Sequence, residues 1–163
     1  MEQTPEGWAL RFVRHLPHPP SAVWAAFTDP EQRQAWFPDT MVGEFEPGAR
    51  LRFVTGMESF PEFTGTVLAV EPERLLEFTW GEDRLRFEIA PTQGGCTLTL
   101  LDRISELGKG ARDGAGWHVC LDSLGAALAG AGPLADSRTR WDAVHPDYVA
   151  AFGSEAATLG PPA

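Results

Sequence analysis

From Met41 to Asp102, apolar and polar residues alternate in a succession of short runs, most of them bounded by Gly, Pro or acidic residues. Period-two alternation places one set of side chains on one face of a strand and the other set on the opposite face. Met41 to Phe45 and Arg50 to Val54 flank Glu46-Pro47-Gly48-Ala49, where Pro and Gly hold the two central positions that a type II turn prefers. Phe63 to Val70 leads through Glu71-Pro72-Glu73-Arg74 into Leu75 to Trp80, with Leu76, Phe78 and Trp80 on a shared face. Gly81-Glu82-Asp83 turns the chain into Arg84 to Ile89, where Leu85, Phe87 and Ile89 oppose Arg84, Arg86 and Glu88. Gln93-Gly94-Gly95 then closes a hairpin into Cys96 to Asp102, with Cys96, Leu98 and Leu100 opposing Thr97, Thr99 and Leu101. Upstream, Trp8 to Leu16 reads as a first strand whose apolar face, Trp8, Leu10, Phe12 and Leu16, also carries Arg14. The pattern predicts an antiparallel meander with one face buried and the other in water.

The period changes twice. Ser21 to Thr28 carries Val23, Trp24 and Phe27 at helical spacing, and Asp29-Pro30-Glu31-Gln32 reads as a fresh helix start, with Asp29 as N-cap and Pro30 where its missing N–H is harmless. This second helix is brief and ends at the apolar knuckle Trp36-Phe37-Pro38. Glu106 to Lys109 reads as a loop. Asp113 to Gly130 then places Trp117, Leu121, Leu124 and Leu128 on one narrow stripe, with Asp113 as the expected N-cap and Gly130, Gly132 and Pro133 as the stop. Gly114 and Gly125 flank that stripe, leaving either close packing against a neighbour or space for a ligand.

The expected fold class is therefore α+β, a curved antiparallel sheet wrapped around the late helix, with two short helices after the first strand. Residues 1–132 are expected to form one domain. Residues 133–163 read as a tail with a short docking helix near 146–152, where Tyr148 and Phe152 lie one helical turn apart.

Composition narrows the function classes. The chain has 163 residues, 43% hydrophobic and 22% charged, with no apolar run approaching a membrane span. No basic and apolar leader opens it, so the expected location is the cytoplasm. A formal charge of -10 repels phosphate backbones, which argues against nucleic acid as a partner. Cys96 and Cys120 lack metal-type spacing and are expected to be reduced. His15, His18, His118 and His145 form no ligand pattern, so neither a metal nor a cofactor is expected. There is no P-loop, dinucleotide-binding fingerprint or nucleophile elbow.

Four local stretches carry a resemblance: Ala22-Val23-Trp24 through Thr28-Asp29-Pro30-Glu31; Trp36; Gly65-Thr66-Val67 ahead of the run Glu71 to Trp80; and Gly116-Trp117 with Leu121 and Leu124. In this order they resemble the bacterial proteins named after the activator of the heat-shock protein 90 ATPase. These proteins share the helix-grip fold of START domains, polyketide cyclases and the birch-pollen allergen. The resemblance implies a deep apolar cavity between sheet and long helix. It does not imply an activity, because the fold hosts carriers, cyclases and chaperone partners alike.

The expected cavity walls are Trp36, Phe37, Trp80, Phe87, Trp117, Leu121 and Leu124, since aromatics from the knuckle, the sheet and the long helix converge there. The polar candidates are Arg14, Glu58, Arg86 and His118. His118 and Asp122, one helical turn apart, would make a base and its orienter. At about 100° per residue, however, Asp122 turns well away from the Trp117 stripe, toward solvent. The leading expectation is a non-catalytic binding domain for a small apolar or amphipathic molecule. The alternatives are a cyclase- or hydratase-like enzyme using the same cavity, and an interaction module for a chaperone or a second copy of the chain.

Overall fold

The computed structural model describes residues 1–5, 7–56, 61–132 and 134–160. Its strands are β1 (Glu2–Thr4), β2 (Gly7–Leu16), β3 (Thr40–Val42), β4 (Arg50–Val54), β5 (Phe63–Glu71), β6 (Leu75–Trp80), β7 (Asp83–Thr92) and β8 (Gly95–Ile104). The helices are α1 (Pro20–Thr28), α2 (Pro30–Gln34), α3 (Gly110–Leu128) and α4 (Ser137–Phe152). The described strands form one sheet in the order β1-β2-β8-β7-β6-β5-β4-β3, and every pairing is antiparallel. From β3 to β8 each strand pairs with its sequence neighbour, and β2 crosses over to lie beside β8, with Phe12 opposite Leu100 and Leu16 opposite Cys96.

Turn chemistry matches the hairpins. Gly48 has φ +87 and Ala49 N–H donates to the Glu46 carbonyl at 2.9 Å, as a type II turn requires. Gly81 has φ +62 in the two-residue link between β6 and β7. Sheet curvature enters at β5, where the register against β6 slips between Val67 and Ala69. Gly65 lies so close to β6 that a Cβ there would collide with the Thr79 carbonyl, so a larger residue would push the strands apart. β3 is shorter than the Met41 to Phe45 run, because Gly43 to Ala49 leaves the sheet, with Gly48 and Ala49 bonding back to Val67.

The concave face carries Leu10, Phe53, Phe78, Phe87, Leu98 and Leu100, and the stripe Trp117, Leu121 and Leu124 of α3 packs onto it. α1 and α2 complete the core through side chains that also cap a helix. Asp29 accepts from Glu31 N–H at 2.9 Å and Gln32 N–H at 3.2 Å, starting α2. The last carbonyls of α1 are then taken up one by one: Ala25 by Asp29 N–H, Ala26 by Trp36 Nε1 at 2.8 Å, and Phe27 by Arg33 Nη1 at 2.8 Å. Arg33 Nη2 donates to Met41 at 2.8 Å and so ties this helix pair to β3.

Two expectations about the helices need correction. α3 begins at Gly110, not after Asp113, because the 3₁₀ turn Leu107–Lys109 feeds directly into it; Asp113 sits inside the first turn and caps nothing. The stop is as expected: Gly130 has φ +75, and the Ala131 N–H to Ala126 and Gly130 N–H to Ala127 bonds form a Schellman motif. The helix near 146–152 is the second half of the sixteen-residue α4, which starts on an Asp136 cap and runs through Pro146. α4 lies along α3. A Cβ on Gly114 would come within 2.7 Å of the Tyr148 ring, so this glycine serves close helix packing, whereas Gly125 and Gly116 face open space.

Candidate functional site

The aromatics do converge, and in converging they fill most of the space between sheet and helix. The Phe37 ring centroid lies 5.5 Å from Trp36, 5.8 Å from Trp117 and 6.3 Å from both Phe78 and Trp80. Trp36, Phe37, Phe87, Leu121 and Leu124 are all 5% exposed or less, and none of them lines either of the two cavities described below. Each of the three indole N–H groups is already satisfied: Trp36 by the Ala26 carbonyl, Trp80 by Asp39 Oδ2 and Trp117 by Asp102 Oδ2, all at 2.8 Å.

Two adjoining cavities open at the end of the sheet where β6, the knuckle and α3 meet. The first, about 360 Å³, lies between α3 and α4; its walls are Trp80, Trp117, Val119, Cys120 and Trp141, and its floor is Gly116, where a Cβ would meet nothing within 4 Å. The second, about 560 Å³, is lined by Asp39, Phe63, Glu82, Asp83 and Lys109. Pro38, Trp80, Arg112 and Asp113 border both. The α4 wall is anchored from several sides. Trp141 stacks on His145 with centroids 4.2 Å apart and donates Nε1–H to the Arg112 carbonyl at 3.3 Å, and the Arg138 guanidinium lies 5.5 Å from its ring.

Carboxylates surround the buried end of this region. Asp83 accepts from Lys109 Nζ at 2.5 and 2.7 Å and from Ser105 N–H at 2.8 Å, and Asp113 accepts from Arg112 Nε at 2.6 Å. Asp102 is fully buried. Among the described residues its Oδ1 and Asp113 Oδ2 have no hydrogen-bond partner. Burial, then the nearby Asp83 and Asp113 charges, push Asp102 well above the usual carboxylate range; burial also raises Asp113 and Asp39, in each case against a donor that lowers it. Burial and the Asp39 charge push the Cys120 thiol up to about 12, leaving it protonated at neutral pH.

A pH dependence follows. A carboxyl group raised in the folded state binds its proton more tightly there than in the unfolded chain. The stability linked to Asp102, Asp113 and Asp39 is therefore fully present below the unfolded carboxylate pKa and is lost as pH rises through the folded values. The helix caps Asp29 and Asp136 are lowered by backbone hydrogen bonds and act in the opposite sense, losing their contribution as pH falls. Urea unfolding between about pH 4 and pH 8 should show Asp102→Asn, which keeps the acceptor for Trp117, falling less steeply toward alkaline pH than wild type. Identical slopes would mean that Asp102 does not titrate in this range.

The polar candidates lie elsewhere. Arg86 projects from the outer face of the sheet, where Nε meets Glu88 at 2.6 Å and Nη1 meets Glu77 at 2.8 Å; its place in the alternation, out of phase with Leu85 and Phe87, puts it there. Arg14 is on the inner face, but it donates to the Val13 carbonyl at 3.2 Å and lies over Phe12 without lining either cavity. His118 faces α4. Its Nε2 is 2.9 Å from Arg140 Nη2, which can only donate, so Nε2 accepts and Nδ1 carries the proton toward Tyr148 Oη at 3.0 Å. Burial, with Arg14 and Arg140, lowers its pKa against the pull of Asp122. Asp122 is not simply solvated, since Arg140 grips it at 2.8 and 3.0 Å. The His118–Asp122 pair thus fastens α3 to α4 and does not face the cavity. Glu58 lies outside the described residues.

Sequence reasoning missed Asp39, Asp83, Asp102, Lys109 and the α4 residues Ser137, Arg138 and Trp141. Two signals were present: Asp102 continues the inward phase of Cys96, Leu98 and Leu100, and Trp141, Tyr148 and Phe152 recur at helical spacing, interrupted for the reader by Pro146. Among the described residues no group of three or more His, Cys, Asp and Glu side chains is placed to hold a metal. Nor is any described helix long and apolar enough to cross a membrane.

The chain has no match among curated proteins. Solved structures share its fold. CalU16 from Micromonospora echinospora is 22% identical with a TM-score of 0.72, over 94% of each chain. EF2215 from Enterococcus faecalis, a conserved protein of unknown function, is 18% identical with a TM-score of 0.73, over 88% of this chain and 84% of that one. The protein encoded by BPP1335 of Bordetella parapertussis, solved by NMR, is 28% identical with a TM-score of 0.69, over 86% of this chain and 84% of that one. From the end of β2 to the end of α3, residues 17–129, the sequence matches the family described as Activator of Hsp90 ATPase homolog 1-like protein, and the chain belongs to that family.

Proposed function

We propose that this protein binds a small amphipathic molecule in the cavity between Trp80, Trp117 and Trp141, and that it does so without catalysis. The observation that carries the reading is the floor of that cavity: Gly116 leaves α3 bare beneath three indoles, in a volume of about 360 Å³, within the range of small-molecule sites. A binding role without chemistry is supported by the state of the reactive groups. The Cys120 thiol is held protonated, and His118 is committed to Tyr148 and Arg140. The family description alone supports a chaperone-partner role, whereas the cavity is a feature of this chain's own packing. The free thiols Cys96 and Cys120 fit the reducing cytoplasm as its location.

Gly116→Leu tests the site directly. A leucine side chain would enter the cavity from its floor without meeting protein atoms at Cβ, and removing a helix-interior glycine should stabilise α3 by about 0.5–1 kcal/mol. The neutral fluorophore N-phenyl-1-naphthylamine is expected to bind wild type and to bind Gly116→Leu at least about ten-fold more weakly, a difference of about 1.4 kcal/mol, with urea stability unchanged or raised. Failure of wild type to bind any apolar probe would refute the proposal.

A further inference from the structure

We infer that the ligand carries a positive charge: an amphiphile whose apolar body lies against Trp80, Trp117 and Trp141 and whose ammonium group sits beside Asp39. The inference rests on the binding reading above and adds the chemical class of the occupant. It comes from matching the charges that line the two cavities. Each cation there already has a carboxylate in contact: Lys109 has Asp83, Arg112 has Asp113 and Arg138 has Asp142 at 3.0 Å. The carboxylates outnumber them. Asp39 and Glu82 line the second cavity, and among the described residues neither forms an ion pair.

Asp39 is the telling group. It is 8% exposed, and its one hydrogen bond among the described residues is the Trp80 Nε1–H on Oδ2. The nearby buried cation, Arg33, is occupied by the carbonyls of Phe27, Thr28 and Met41. A buried carboxylate with a neutral donor and no cation is poorly compensated, and an incoming ammonium group would supply the missing charge. Trp80 reinforces the preference. It borders both cavities, and its indole, hydrogen-bonded through Nε1 to an anion, presents a face that attracts cations. At longer range the chain's net charge of -10 draws cations and repels anions. A ligand with an anionic head would have to approach this excess of carboxylate.

Three amphiphiles with the same tail separate the possibilities: decyltrimethylammonium, decanol and decanoate, each displacing N-phenyl-1-naphthylamine from the full chain below its critical micelle concentration. The expected result is an affinity at least about ten-fold higher for the cation than for the other two, equivalent to about 1.4 kcal/mol, and weakening with added salt. Asp39→Asn keeps an acceptor for Trp80 and should erase the preference while still binding the neutral probe. Glu82→Gln, at an exposed position, should reduce it. Equal displacement by all three, or a preference for decanoate, overturns the charge assignment and leaves the binding reading intact. A preference that survives in folded Asp39→Asn overturns the role of Asp39. Absence of probe binding to wild type defeats the binding reading itself. The wild-type series and its salt dependence do not depend on any variant folding.

Discussion

Phe37→Ala should lower the stability of the protein by about 3–5 kcal/mol, the usual loss for truncating a fully buried aromatic ring. Phe37 follows directly on the α2 knuckle, yet its ring touches elements from the whole domain: Trp36 beside it, Phe53 on β4, Phe78 and Trp80 on β6, and Trp117 on α3. Those neighbours are themselves large and held by their own hydrogen bonds and ring contacts, so they cannot collapse into the void. The loss should therefore sit toward the top of the range. Urea unfolding of wild type and variant measures it, and a loss below about 1.5 kcal/mol would show that the knuckle repacks, and that Phe37 borders space and is not the centre of the core.

Arg33→Met is expected to cost about 2–5 kcal/mol, although it replaces a charged residue with an apolar one of similar length. Methionine preserves the buried stem and removes the guanidinium, which donates to two carbonyls at 2.8 Å, Phe27 at the end of α1 and Met41 in β3. Each buried carbonyl left without a donor costs about 1–3 kcal/mol, partly offset because the guanidinium no longer has to be desolvated. The effect should be local as well as global. Hydrogen exchange is expected to speed up first in α2 and β3, where the arginine is the tie, and a variant as stable as wild type would show that water takes its place.

The meander and its phase are visible in the residues themselves. Leu85, Phe87 and Ile89 are buried and Arg84, Arg86 and Glu88 face outward because a strand allows only two directions, and a single reading of the alternation assigns both. The hairpin at Pro47-Gly48 and the Asp29 cap are equally local: each is set by residues within a few positions of one another, whose backbone preferences hold in isolation. The entry into α3 was less legible, since the 3₁₀ turn over Leu107–Lys109 made Asp113 an interior residue and not a cap. The length of α4 was also hidden. Pro146 argues for a break, and what carries the helix past it is packing against α3, through Tyr148 over Gly114 and Arg140 on Asp122.

The site was legible only in part, for a reason of volume. Periodicity tells which side chains turn inward, and it placed Trp36, Phe37, Trp80, Phe87, Trp117, Leu121 and Leu124 together. It cannot tell whether inward side chains meet or leave a gap, because that depends on the difference between the space several elements enclose and the volume of the side chains that enter it. Here Trp36, Phe37, Phe87, Leu121 and Leu124 meet, while Trp80 and Trp117 alone of that set reach the open space beside Gly116. Charge follows the same division. The sequence by itself determined a net charge of -10 and the inward phase of Asp102. Only the tertiary structure decided that Lys109, Arg112 and Arg138 each find a carboxylate while Asp39 does not, because ion pairing depends on distances of a few ångströms between residues far apart in the chain.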